Sequence, residues 1–387
     1  MSPSQSPSPF IHLNPPAREW VSESKSDGAE SGVVLAFHKT LPGYNETKLH
    51  SLPDLANELG LGYVLLKDES DRCGLSAFKI LGVSWAIYRS VGSHLGLPVA
   101  DGSVSLAELA AKANESGIEI VTATEGNCGR AVSYIAAELM GLETMVFVPN
   151  YMDEKVTAEM TNEGSEVLEV DGDYDDVVSF AFEEAKAKEN RLLILDVGLE
   201  GYDTIPRYFV EGYSTMLAES DRQVLESTGG KTATHAIVPV GAGSVGEAVT
   251  THFKNDARVR EFGPTRVLGV EPTTAACLFA SLKAAKSVSV PTEETIMRGL
   301  NCGTLSTIAW PILRDGIDAA VMVSDLESHN AVRELSGCDI SAGPCGAATL
   351  TALRKVCVDA KQDLGLDDTS IVVLYCTEGE REYVTPF

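Results

Sequence analysis

Short apolar runs of three to five residues recur along the chain, at 63–66, 118–122, 144–148, 167–170, 192–195, 236–240, 267–270, 321–323 and 371–375. Between many of them lies amphipathic sequence long enough for a helix, notably 77–90, 130–140 closed by Gly141, 180–189 and a long stretch near 206–220. Strands this short and this continuously apolar are buried on both faces, and helices between them make the strand order parallel. The pattern therefore predicts an α/β fold built on open, mostly parallel sheets covered by helices. At 387 residues the chain exceeds the roughly 250–300 residues one core supports, so two domains are expected. In such sheets functional groups gather beyond the carboxyl ends of strands. Asn127, Asp196, Gly241 and Cys376 all fall at or just past such ends.

Composition excludes several function classes. The 56 acidic side chains outnumber the 30 basic ones, and a net charge of -26 with no Lys/Arg cluster argues against a nucleic-acid partner. No apolar run reaches the length of a membrane span, and the polar start MSPSQSPSP has no basic flank leading into an apolar core. A cytoplasmic protein without a membrane partner is expected. The eight cysteines form neither a dense disulfide pattern nor a CxxC pair, and the seven histidines lack HxxxH or HExxH spacing, so no metal site is expected.

Lys79 ends the segment KDESDRCGLSAFK (67–79), where its neighbours are apolar. Burial lowers a lysine's pKa, and a neutral amine condenses with a cofactor aldehyde. That makes Lys79 a candidate Schiff-base lysine; the alternative is a lysine snorkelling from an amphipathic helix. The loop VGAGSVG (240–246) follows a strand and precedes a helix, so Gly241, Ala242, Gly243, Ser244, Val245 and Gly246 are candidates for cradling a phosphate. Tight-turn packing and a dinucleotide site are the other readings of its G-x-G-x-x-G spacing. In TATEGNCGR (122–130), Asn127 can hydrogen-bond a cofactor oxygen and Glu125 can exchange a proton, unless the loop is only an Asn/Gly turn with an acid near a helix start. Asp196, directly after the run at 192–195, is either a turn cap or an acid/base group.

Together, FHKTLPGY (37–44), KDESDRCGLSAFK, ATEGNCGR (123–130), GYDTIP (201–206), EGY (211–213), Glu271-Pro272, TIMRGLNCG (295–303) and TEG (377–379) resemble the fold type II, tryptophan-synthase-beta type pyridoxal-phosphate enzymes, in their 2,3-diaminopropionate ammonia-lyase branch. The resemblance runs from about residue 35 to the end. It implies pyridoxal 5'-phosphate in a cleft between two domains, a large one from 16–90 and 215–387 and a small one from 91–214, after a mobile tail at 1–15. It also implies Lys79 as the lysine bonded to the cofactor beside Phe78, Asn127 on the ring oxygen, the loop at 241–246 on the phosphate and Cys376 facing the pyridine nitrogen. The implied reaction is α,β-elimination on a small amino acid, with Lys79 as base and Glu125 or Asp196 as acid, giving a 2-oxo acid and ammonia. A homodimer is implied as well.

β-Replacement, dehydration of a hydroxyamino acid, and a non-catalytic binding protein of the same fold are the competing functions. The chain departs from the family's TDGNHG at TEGNCG (124–129), from GESGA at GPCGA (343–347), and from STEG at CTEG (376–379). It also lacks the family's tryptophan before Gly201-Tyr202. Cys277 and Cys302 coincide with cysteines that pair in some relatives; two buried thiols are the reading adopted for a cytoplasmic chain.

Overall fold

The structure is a computed structural model that describes residues 8–22, 28–124, 126–172 and 174–387. These residues form two compact units, one of residues up to 22, 46–71 and 216–387, the other of 28–45 and 72–215. Both are α/β.

The first unit holds a seven-stranded sheet. Its strands are β1 (Ile11–Leu13), β2 (Leu49–Ser51), β3 (Tyr63–Asp68), β8 (His235–Pro239), β9 (Arg266–Pro272), β10 (Ala319–Val323) and β11 (Ile371–Cys376), in the order β1-β10-β9-β8-β11-β3-β2. The five inner strands are parallel, and only the edge strands β1 and β2 run antiparallel. Alternation sorts each strand's side chains to two faces. Val64 and Leu66, Ile237, Leu268 and Val270, and Val372 and Leu374 enter one core with the helix Pro344–Asp359, whose Ala347, Ala348, Leu350 and Leu353 are fully buried.

The second unit carries a four-stranded, all-parallel sheet of β4 (Glu119–Ala123), β5 (Glu143–Pro149), β6 (Glu166–Val170) and β7 (Arg191–Leu193), in the order β6-β5-β4-β7. Val121, Ala123 and Phe147 meet Val177, Val178 and Ala181 of the helix Tyr174–Ala185 on one face, while Val146 and Val148 meet Met160 on the other. Helices thus cover both faces, as the continuous apolar runs required.

Several expectations are corrected. Residues 1–7 of the expected tail lie outside the described residues, but Ile11–Leu13 is a strand paired with β10, and Asn14 Nδ2 donates to the Arg314 and Ile317 carbonyls at 2.8 and 2.9 Å. Backbone pairing holds a segment whose composition suggested none. The segments 28–45 and 72–90 group with the second unit rather than the first. The reason is helix packing: Lys79–His94 lies against Thr204–Gly212 through facing glycines. A Cβ on Gly82 would fall 2.7–2.9 Å from the Tyr213 and Phe209 rings, and one on Gly212 2.4 Å from the Leu81 carbonyl oxygen. The long helix expected near 206–220 is two helices, Thr204–Gly212 and Ser214–Thr228, with the break at Tyr213 beside that contact. The helix expected at 130–140 starts at Asn127 and opens into a π-helix over Ser133–Leu139, a geometry no local propensity encodes.

Gly212→Ala tests this packing, since the added methyl meets backbone that cannot rotate away. It is expected to destabilise the second unit by about 1–3 kcal/mol, read as a lower midpoint in urea with unchanged slope, whereas Gly201→Ala, with open space around its Cβ, strains only its own left-handed backbone (φ 77°).

Candidate active site

In the second unit the chain makes a tight turn at Arg72 and Leu75, which exchange backbone hydrogen bonds of 2.8 and 3.0 Å. Cys73, within it, adopts a left-handed φ of 55° and its N–H donates to Asn45 Oδ1. The helix then begins at Lys79, with buried Phe78 as its preceding residue. Lys79 Nζ donates to Asp196 Oδ2 at 2.5 Å and lies 5.2 Å from the centre of the Phe78 ring, which packs on Tyr213 at 4.8 Å. The Lys79 side chain is one-fifth exposed and that of Asp196 about one-eighth.

The expected neutral amine is corrected here. Burial works against the ammonium, but the Asp196 carboxylate, followed by Tyr213 and Cys128, outweighs it and holds Lys79 well above the ordinary lysine range. The segment around Lys79 displays its apolar neighbours but not a partner 117 positions away. The same pocket pushes the Cys128 thiol up, first through burial and then through Asp196, so it is a neutral S–H.

Asp196 follows β7, whose register on β4 is Val121 to Leu193. Beyond that pair, Ile194 N–H donates to the Val121 carbonyl at 2.8 Å, and Thr122 Oγ1 donates to the Ile194 carbonyl at 2.7 Å. On the other side of β7, the Tyr202 hydroxyl donates to the Leu193 carbonyl at 2.8 Å and accepts from Leu195 N–H at 3.0 Å. The loop after β4 is shaped by Thr124, whose Oγ1 accepts from the Gly126 and Gly129 N–H groups at 3.0 and 2.9 Å. Gly126 takes a φ of 150° and Asn127 opens the next helix. A Cβ on Gly129 would lie 2.2 Å from Thr124 Cγ2, which explains that glycine. Glu125 lies outside the described residues.

In the first unit, the strand β8 leads into Gly241, Ala242 and Gly243 and then the helix Ser244–Phe253. The Gly241 carbonyl accepts a weak bond from Cys277 Sγ at 3.7 Å and the Ala242 carbonyl accepts from Ser306 N–H at 2.8 Å. A Cβ on Gly241 would sit 2.9 Å from the Gly299 carbonyl oxygen, and Gly243, at φ 108°, is crowded by Ala309 and Leu313. The glycines thus answer a packing demand as well as a turn. Among the described residues no protein group accepts from the N–H of Gly241, Ala242 or Gly243, and no side chain caps the helix that Ser244, Val245 and Gly246 begin. Such a cluster of donors at a helix start fits a phosphate.

Cys376 ends β11, the parallel neighbour of β8. Its thiol is buried, donates to the Glu378 carbonyl at 3.6 Å, and is kept well above its ordinary pKa by burial, then by Asp68 and Glu378. It is therefore a neutral group. All eight cysteines are thiols, Cys277 and Cys302 included, but of the two thiols expected to be buried only Cys277 is, Cys302 being partly exposed. Sequence reading assigned no role to Tyr213 or Tyr202; GYDTIP and EGY had singled out both residues, but their contacts with the Lys79–Asp196 region are tertiary.

The sequence profile described as "Pyridoxal-phosphate dependent enzyme" matches residues 40–377. This chain belongs to that family. Among curated relatives, diaminopropionate ammonia-lyase of Salmonella typhimurium is 34% identical over 364 residues, covering 90% of this chain and 88% of the relative. The enzyme of the same name from Escherichia coli is 30% identical, covering 92% and 89%. The crystal structure of the Escherichia coli diaminopropionate ammonia-lyase in complex with D-serine superposes with a TM-score of 0.85 at 27% identity, covering 96% of this chain and 93% of that one. The family's cofactor is pyridoxal phosphate, and the lysine amine and the uncapped helix start are residues that fit it. No helix among the described residues is long and apolar enough to cross a membrane.

Because the folded pKa of Lys79 lies above an unfolded value of about 10.4, the pair contributes its full stabilisation below that pH and loses it as pH rises through the folded pKa. Asp196→Asn removes the main charge that sustains the ammonium. In cofactor-free protein it is expected to raise the rate of Lys79 acylation at pH 9 by at least about tenfold, one pKa unit's worth, read lysine by lysine by mass spectrometry.

Proposed function

We propose that this pyridoxal-phosphate dependent enzyme eliminates the β-substituent of a small amino acid such as 2,3-diaminopropionate, releasing a 2-oxo acid and ammonia. The Lys79–Asp196 contact carries the reading: an amine and a carboxylate able to exchange a proton sit 2.5 Å apart, and an elimination that removes a proton from one carbon and expels a group from the next needs both groups. The relatives named diaminopropionate ammonia-lyase, including a solved complex with an aminoacrylate-pyridoxal-phosphate azomethine intermediate, support the same reaction class.

In this reading Lys79 would hold the cofactor, with Phe78 beside it and Asn127 as a hydrogen-bond partner for its ring oxygen. The N–H groups at 241–246 and the Ser244 hydroxyl would hold the phosphate, and the neutral Cys376 thiol would serve the ring nitrogen. The bound cofactor supplies an electron sink for the carbanion. Lys79, once released to act as a base, takes the α proton. Asp196, protonated by the ammonium that Lys79 then becomes across their 2.5 Å contact, would pass that proton to the departing β-amine, and Glu125 is the alternative donor. Water then displaces the second nitrogen, so diaminopropionate and one water give pyruvate and two ammonia. A thiol at 376 stays uncharged, and a neutral partner leaves the ring nitrogen unprotonated, which favours elimination over transamination. A cytoplasmic homodimer completes the proposal.

The test is a visible absorption scan of purified protein with pyridoxal phosphate. It is followed by addition of L- and D-diaminopropionate, serine and threonine, while keto acid and ammonia are measured. The expected result is a cofactor band that borohydride fixes to Lys79 and two ammonia per keto acid with diaminopropionate. Lys79→Ala should lose the band and reduce turnover by roughly 10²–10⁴-fold or more. Turnover confined to serine or threonine would make the chain a hydroxyamino-acid dehydratase, product formed only with an added thiol or amine would indicate replacement, and a band without product would indicate a binding protein.

A further inference from the structure

We propose that Tyr202 is a positioning residue whose hydroxyl stands in for a missing neighbour strand at the open edge of β7 and thereby fixes Asp196 against Lys79. Among the described residues β7 pairs with β4 alone, so its outer edge carries backbone groups with no described strand beside them. In a parallel ladder, one residue of a neighbouring strand would donate to the carbonyl of residue 193 and accept from the N–H of residue 195. The Tyr202 hydroxyl makes both bonds, at 2.8 Å to Leu193 and 3.0 Å to Leu195.

The ring is aimed there by local structure. Leu199 and Tyr202 exchange backbone hydrogen bonds of 3.0 and 2.9 Å across a tight turn, and Phe182 meets the ring edge-on at 6.3 Å. The β4 side of the same segment is already held, by Val121 and Thr122 on Ile194. Residues 193–195 are thus gripped on both sides immediately before Asp196, whose carboxylate must stay 2.5 Å from Lys79. Burial and then Asp196 and Cys128 push the phenol's pKa up, so the hydroxyl keeps the proton it donates to Leu193. The charged and titratable groups facing Lys79 are Asp196, Tyr213 and Cys128, and of these Asp196 acts most strongly. Loss of the hydroxyl leaves a buried carbonyl and N–H unpaired and frees Asp196 to drift.

The inference rests on Lys79 being the reactive amine of the proposed reaction, but its readout is taken without cofactor, so the two stand or fall separately. Lys79 acylation by acetic anhydride is followed by mass spectrometry in cofactor-free protein across pH 7–10, with the remaining lysines as internal controls. Tyr202→Phe is expected to raise the Lys79 rate at pH 9 about tenfold, one pKa unit's worth, and to add nothing in an Asp196→Asn background, since coupled residues are not additive. If Tyr202→Phe fails to fold, Phe182→Leu, which keeps the hydroxyl but removes the edge-on ring that aims it, is read the same way. An unchanged Lys79 rate with a lowered unfolding midpoint, or an equal increase in both backgrounds, overturns the proposal and leaves Tyr202 as an edge cap only.

Discussion

Parallel pairing of β4 with both β5 and β7 is the interaction on which the second unit's chemistry depends. Three strands running the same way end on the same edge, so the helix start after β4, which carries Asn127 and Cys128, and the segment after β7, which carries Asp196, emerge together. A one-residue slip of β7 would turn Leu193 away from the core it shares with Val121 and Phe147, so burial fixes the register that places Asp196. The same logic serves the first unit. There β8 and β11 are parallel neighbours, and the glycine loop and Cys376 leave from one edge.

Electrostatics then decides what those placements mean. The chain is strongly acidic, yet its notable charges are single buried contacts. Lys79 remains an ammonium because the Asp196 carboxylate outweighs the cost of desolvation, and Cys128 and Cys376 remain thiols because burial and nearby carboxylates together outweigh what favours their thiolates. An ammonium at rest is compatible with a catalytic amine. Position 128 thereby contributes a small neutral group where the related TDGNHG motif has an imidazole.

Much of the architecture was legible from residue order. Nine apolar runs marked nine of the eleven strands among the described residues, and the glycine loop and the polar loop around Asn127 were visible as breaks between strand and helix. The two strands that were not visible, Ile11–Leu13 and Leu49–Ser51, are three-residue antiparallel edges whose formation depends on a partner strand already being present. The break at Tyr213 escaped for a related reason, since it lies where Gly82 and Gly212 let two helices pack closely, and the π-helix at Ser133–Leu139 leaves no mark in residue order.

The candidate residues themselves were found from the sequence: Lys79 by its apolar setting, Asp196 and Asn127 by their place after strands, and 241–246 by glycine spacing. What the residue order determined was which groups are available and on which edge, because period, turn chemistry and strand direction are local properties. Only the tertiary structure decided that Lys79 is charged, that Asp196 is its partner, and that Tyr202 grips the strand end between them. Protonation and hydrogen-bond pairing depend on distances between residues far apart in the chain, and those distances exist only once the sheet has formed.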